Sequence, residues 1–76
     1  PEHASYGLES FHLSKLSPYI EKTIRDCGLR ENIEGLIVGV EREGKRFLNP
    51  DSGMILKAGD LLWVVADIKR VNQNLK

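Results

Sequence analysis

Cysteine is nearly absent from the 76-residue sequence, where Cys27 stands alone. A lone cysteine excludes an intramolecular disulfide and a cysteine-based zinc site, and a cytoplasmic compartment fits that economy. The only two histidines, His3 and His12, fall short of the three or four converging ligands that a metal site needs. Net charge is zero, so the sequence lacks the field that would hold a nucleic-acid backbone or an anionic membrane. The expectation is therefore no nucleic-acid partner. No apolar run approaches the roughly 20 residues of a membrane span, and no signal-peptide pattern is present. The chain also starts at Pro1 without an initiator Met, which we read as a piece excised from something larger.

What is present is a run with no polar side. Leu56-Lys57-Ala58-Gly59-Asp60 reads as a tight turn, with Gly59 supplying the positive φ of a type II turn and Asp60 bonding nearby backbone at its exit. Leu61 to Ala66 are six apolar residues in a row. A half-exposed strand alternates apolar and polar residues, whereas a continuous run is covered on both faces. A domain this small buries only about 60% of the surface its unfolded chain exposes. Either the terminal segments fold over this strand, or a second subunit does.

Residues 1–7 show no period and read as a linker remnant or disordered end, and 8–76 as one domain. Phe11 and Leu13 share a face of a short strand that begins at Leu8. Ser17-Pro18 is a helix start signal, Thr23 to Asp26 resembles a capping box, and Ile20, Ile24 and Cys27 make a helical stripe that ends at Gly28. A short helix is predicted from about Pro18 to Cys27. Leu36 to Arg42 is an apolar strand in which Gly39 permits close approach of another backbone or a ligand. Glu43-Gly44 turns it into the hairpin partner Lys45 to Leu48. Met54 to Leu56 is a brief extended piece, and Asp67 caps a final helix with Ile68, Val71 and Leu75 on one face. The order strand, helix, strand, strand, strand, helix predicts an α+β domain with a mostly antiparallel sheet.

Catalytic patterns are missing. Gly39 and Gly44-Lys45 have Walker A spacing, but Arg46 follows where Mg²⁺ needs Ser or Thr, and the segment reads as strand and hairpin. Cys27 sits on an apolar stripe, where cysteine acts as a small hydrophobe. Glu41, Glu43 and Asp51 flank turns and read as solvated charges. Trp63, inside the apolar run, reads as core or interface. With nucleophile, base and oxyanion donors all unfilled, the sequence is not that of an enzyme.

The ordered set of motifs resembles the TrkA C-terminal (RCK-C) domain, attached to bacterial potassium channels and cation:proton antiporters. Those motifs are Ser17-Pro18 with Lys22-Thr23, Gly28-Leu29-Arg30-Glu31-Asn32, the strand Leu36 to Arg42, the hairpin Glu43 to Arg46 leading to Asn49-Pro50-Asp51, and Ala58-Gly59-Asp60 with its strand. Glu-Arg before the hairpin, Asn-Pro-Asp-Ser after it and Trp63 look like the tail of sodium/proton-antiporter-type proteins. Two residues depart from the family's usual glycines: Glu21 before Lys22-Thr23, and Ala66-Asp67 after the last strand. The resemblance implies a βαβββ-type domain that dimerises, with Ile37, Gly39 and Trp63 at the dimer interface. It implies an effector, cyclic di-AMP or another nucleotide, in the cleft between two copies, with no metal and no fixed cofactor. Arg30 would meet a phosphate, Asn32 a base or phosphate, and Ile33 and Leu36 an adenine face. It further implies a regulatory role on the cytoplasmic side of the plasma membrane, attached to a monovalent-cation transporter. The alternative is a dimerisation module without a ligand.

Overall fold

The structure, a computed structural model, describes residues 5–75. His3 and most of the expected linker lie outside the described residues, as does the side chain of Leu75. Four strands and two helices follow in the predicted order: β1 (Tyr6–His12), α1 (Leu29–Ile33), β2 (Leu36–Arg42), β3 (Lys45–Leu48), β4 (Leu61–Asp67) and α2 (Ile68–Leu75). The sheet is antiparallel throughout, in the order β1-β4-β2-β3. The apolar run is thus an inner strand, paired on both edges. Strand β1 begins at Tyr6, two residues before the boundary read from the sequence.

One face of the sheet is covered by the chain itself. Leu62, Val64 and Ala66 of β4 point to that side and are fully buried with Leu29 and Ile33 of α1, Val71 of α2, and Leu56. Residues four apart on one helical turn share a face, so five-residue α1 delivers both of its apolar side chains to the core. Helix α2 opens as expected: the Asp67 carboxylate accepts the Lys69 amide at 3.0 Å.

The predicted helix over 18–27 is not an α-helix; the helix comes later, at Leu29–Ile33. The backbone groups of this stretch are satisfied across the chain. Glu21 N–H donates to Leu56 O (2.7 Å), Leu56 N–H to Lys22 O (2.9 Å) and Ile24 N–H to Met54 O (2.9 Å). Thr23 and Ile55 form an antiparallel bridge. The expected extended piece at 54–56 is therefore real, and it claims the donors that a helix would have used. A single turn survives: Cys27 N–H donates to Thr23 O at 2.9 Å, and Thr23 Oγ1 accepts the Asp26 amide at 3.1 Å. Gly28, with φ 84°, ends it as the sequence suggested and also opens α1. Ile24 and Cys27 are buried as the stripe required.

The turns hold the sheet ends. Gly59 has φ 90°, and the Asp60 amide donates to Lys57 O at 3.1 Å, closing the predicted turn. The β2–β3 loop places both Glu43 (φ 49°) and Gly44 (φ 79°) at positive φ, the signature of a type I′ hairpin. A bulge between Ile37 and Gly39 shifts the register of β2 against β4.

Candidate ligand-binding and association surface

Among the described residues, the other face of the sheet carries no helix. Side chains directly opposite each other in an antiparallel pair share a face, so the register orders this face into rows. Leu8, Val65 and Leu36 lie side by side across β1, β4 and β2. Ser10, Trp63, Gly39 and Leu48 form the next row, and His12, Leu61, Glu41 and Arg46 the one after. Leu8, Leu36, Leu48 and Val65 are exposed to 58%, 53%, 81% and 41%, so the covering expected on both sides of β4 is supplied on one side only. A hollow of about 390 Å³ opens here between Leu8, Trp63, Gly39, Leu48 and Arg46. The Trp63 indole N–H donates to Glu41 Oε2 at 2.7 Å, and Arg46 Nε lies 4.0 Å from Glu41 Oε1. These contacts fix the indole against the sheet.

Of the interface residues inferred from the family, Gly39 and Trp63 stand together on this open face. Ile37 does not. It pairs with Val64 and packs against the core, because the bulge after it breaks the alternation that would have kept it in phase with Gly39. Leu36 takes the open-face position instead.

The four inferred ligand residues do not share one surface. Arg30 and Asn32 are exposed on α1. The Arg30 guanidinium has no hydrogen bond or ion pair among the described residues. The Asn32 side-chain amide donates to the Tyr19 hydroxyl at 2.8 Å. Ile33 is fully buried, since α1 spends both of its apolar side chains on the core, so packing of Ile33 against an adenine is corrected. Leu36 lies on the open face.

The polar contacts that matter for shape lie at the far end of the sheet. Asp60 is 1% exposed. Its two oxygens accept Arg42 Nε (2.8 Å) and Nη2 (2.7 Å), and Oδ2 also accepts the Lys57 amide at 2.9 Å. Burial alone would push the Asp60 carboxyl up; the Arg42 and Lys57 hydrogen bonds and their charges outweigh it and hold it below its ordinary value. The Arg42 guanidinium is correspondingly raised, chiefly by its hydrogen bonds to Asp60. In the sequence the arginine reads only as the end of the strand Leu36 to Arg42. Its distance from Asp60 along the chain hid the pairing. Cys27 is buried, with its thiol 3.4 Å from Ile24 O. Among the described residues no three His, Cys, Asp or Glu side chains converge on a metal position.

A four-stranded sheet with helices on one face and an apolar, hollowed surface on the other defines a small α+β module with one sheet face open among the described residues. Residues 8–75 match the TrkA-C domain model, and the chain belongs to that family of non-catalytic regulatory domains. No sequence relative is found among curated proteins. Among solved structures, the RCK_C domain dimer of Streptococcus agalactiae BusR in complex with c-di-AMP is 25% identical, with a TM-score of 0.77 over 91% of this chain and 90% of that one. BusR from the same organism in complex with its busAB-promoter DNA gives the same identity and TM-score, but there the match spans 33% of the relative. The RCK C domain of the potassium transport protein KtrA in complex with c-di-AMP is 18% identical with a TM-score of 0.74, covering 92% of this chain and 84% of that one, a likeness of fold.

The BusR complex corrects the expectation that nucleic acid is excluded. That expectation rested on a net charge of zero, and charge counted over 76 residues constrains only those residues. A domain of this fold makes up a third of a chain that is bound to DNA.

Proposed function

We propose that the chain is a ligand-sensing regulatory domain that works as a homodimer, with c-di-AMP or another nucleotide held between two copies. The observation that carries this reading is the 25% identity, over nearly the whole chain, to the BusR domain dimer in complex with c-di-AMP. A two-fold dinucleotide suits a two-fold assembly, because each copy supplies the same contacts. In this reading Arg30, whose guanidinium is free to form charge-assisted bonds, meets a phosphate. Asn32 contributes a polar contact by exchanging its bond to Tyr19, and Leu36 offers apolar area to a base. The effector acts through its affinity difference between two arrangements of the dimer, and by that difference biases whatever the domain is attached to.

The attached part, in our reading, is a monovalent-cation transporter of the potassium or cation:proton-antiport type, with this domain on the cytoplasmic side. The hairpin flanks Glu41-Arg42 and Asn49 to Ser52, together with Trp63, support that context. The BusR–DNA complex favours a second context, a DNA-bound regulator in which the same domain carries the ligand signal.

Calorimetric titration of c-di-AMP into the domain and into Arg30→Ala tests the ligand. Saturable heat with the parent domain and a weaker response with Arg30→Ala is the expected result. Absence of heat at high micromolar ligand would leave a dimerisation module without an effector. A thermal-shift screen gives a second readout, since a ligand at about 100 times its dissociation constant adds about 2.7 kcal/mol of stability.

A further inference from the structure

Two contacts fix the phase of hydrogen bonding along β1. The Ile68 amide donates to Ser5 O at 2.7 Å, and the Leu13 amide donates to Asp60 O at 2.9 Å. Both pairs continue the unbroken β1–β4 register, one at each end. Bonded and non-bonded pairs alternate in an antiparallel ladder, so Gly7, Glu9 and Phe11 direct their backbone groups to β4. Tyr6, Leu8, Ser10 and His12 aim theirs away from it. Strand β1 ends the sheet, and among the described residues no strand pairs with its outer side. We infer that this edge docks the same strand of a second copy, running antiparallel, so that two sheets join into one.

The two outer edges of the sheet are built differently. Strand β3 has four residues, and two of them are Lys45 and Arg46. Short length and cationic side chains are the usual means of keeping an edge from pairing. Strand β1 has seven residues, Tyr-Gly-Leu-Glu-Ser-Phe-His, without lysine, arginine or proline. Unpaired N–H and C=O groups along an edge of this length are a template for an added strand. Tyr6 and Leu8, which aim their backbone groups outward, are each 58% exposed. An added strand therefore covers apolar area as well as backbone groups.

The occupant follows from symmetry. A two-fold contact needs a self-complementary patch, and in such a strand pair the outward-bonding residues must meet one another. With Leu8 on the axis, Leu8 meets the copy's Leu8, Tyr6 meets its Ser10, and Glu9 meets its Gly7, which has no side chain to clash. An axis at Glu9 would set two carboxylates opposite each other, an unfavourable pair. An axis at Ser10 leaves Tyr6 outside the ladder, and one at Gly7 leaves Ser10 outside it. The contact lies in the plane of the sheet. It leaves free the open face around Trp63, where the family resemblance puts the homodimer, and also α1 with Arg30 and Asn32. A chain that holds one copy over its face and another along β1 belongs to an assembly larger than a dimer. So short an edge binds weakly between free domains and gains from the high local concentration of copies already held together. It requires neither the nucleotide nor the homodimer of the proposed function.

Amide hydrogen exchange followed by NMR, from micromolar to millimolar chain, tests the edge residue by residue. The amides of Leu8 and Ser10 should gain at least about tenfold protection with concentration, while those of Glu9 and Phe11, already bonded to β4, should change little. In a sample of mixed labelled and unlabelled chains, an intermolecular Hα contact between Gly7 and Glu9 should appear. Opposed non-bonded pairs bring Cα atoms to about 4.5 Å, whereas sheets stacked face to face lie about 10 Å apart and cannot give it. Leu8→Pro removes one outward N–H and no bond to β4, and should abolish the gain at Ser10. If circular dichroism shows that this variant loses the sheet, a charge pair replaces it. Tyr6→Lys/Ser10→Lys sets like charges opposite each other, and should associate at least about tenfold more weakly than Tyr6→Lys/Ser10→Glu. Leu8 and Ser10 amides that exchange at the unprotected rate in millimolar chain overturn the inference. Equal protection at micromolar and millimolar chain also overturns it, since the chain then covers its own edge. Protection without the Gly7–Glu9 contact overturns it too, by placing the association elsewhere. Each of these results leaves the nucleotide titration untouched, so the functional reading stands or falls separately.

Discussion

Arg42 and Asp60 are joined in a two-pronged ion pair that fastens the end of β2 to the turn before β4. The arginine also donates Nη2–H to Ile55 O at 2.8 Å, so one guanidinium ties together β2, the 54–56 bridge and the Asp60 turn. The two partners are unequally placed, Asp60 being almost fully buried and the Arg42 side chain 30% exposed. Removing the arginine therefore strands a charge, whereas removing the aspartate returns one to water. Arg42→Ala should cost about 3–5 kcal/mol, the range for an uncompensated buried charge. Arg42→Lys keeps the charge but loses the fork, and should fall between parent and alanine. Urea unfolding of the three proteins decides this, and equal midpoints would show that the pair contributes nothing.

The same pair sets an acid limit. The Asp60 carboxyl is held below its ordinary value in the folded state, so the unfolded chain binds the proton more readily. Its stabilising contribution is fully present above the unfolded carboxylate value of about 3.9 and is lost as pH falls through the lower folded value. Between pH 7 and 5 this group should leave stability unchanged. In Arg42→Ala the balance reverses: burial then dominates and raises the carboxyl, so the variant should regain stability on acidification from pH 7 to 4. Unfolding midpoints measured across that range should show the deficit of Arg42→Ala narrowing, and a constant deficit would refute the assignment.

Local signals were legible where a residue acts on its own neighbourhood. Gly59, Gly44 and Asp67 perform the turn and cap roles that their types and positions announce, because the partner atoms lie within three residues. The strand run Leu61 to Ala66 was legible as needing cover, and so was the order of all six elements. Helix placement over 18–27 was not. Burial of Ile24 and Cys27 satisfies a helical stripe and a turn-plus-bridge equally, and the choice is made by residues 52–56, whose carbonyls take the amides of Ile24 and Arg25. Ile37 was misplaced for a related reason: a one-residue bulge inverts which side chains face the core, and neither composition nor period encodes it. The Arg42–Asp60 pair needed the folded chain to become visible.

Glu21 offers a direct gain in stability. It sits at φ 63°, a left-handed conformation that β-carbons resist, and it is the position where the family resemblance calls for glycine. Its side chain is exposed and makes one surface ion pair, to Lys57 Nζ at 3.1 Å, a contact of small net worth. Glu21→Gly should therefore stabilise the domain by about 0.5–1 kcal/mol, relief of backbone strain outweighing the added freedom of the unfolded chain. Thermal unfolding is the measurement, and a lower melting temperature would mean that the ion pair outweighs the strain.

Two glycines of the β2 region separate close approach from mere flatness. The sequence drew attention to Gly39, yet a Cβ there would meet its nearest neighbours at 3.6 to 3.8 Å, ordinary contact distances. Gly35, just before β2, is the tight one: its Cβ would lie 2.3 Å from the Val65 carbonyl oxygen and 2.5 Å from Ala66 Cβ. Those neighbours belong to the inner strand β4, paired on both edges, and have nowhere to move. Gly35→Ala should then destabilise by about 3 kcal/mol or more, at the upper end of overpacking costs. Gly39→Ala should change monomer stability by less than about 1 kcal/mol, with its effect showing in the open-face hollow and in self-association. Urea unfolding of both variants at a concentration where the chain is monomeric compares them directly. Equal losses would mean that β4 yields to the added methyl.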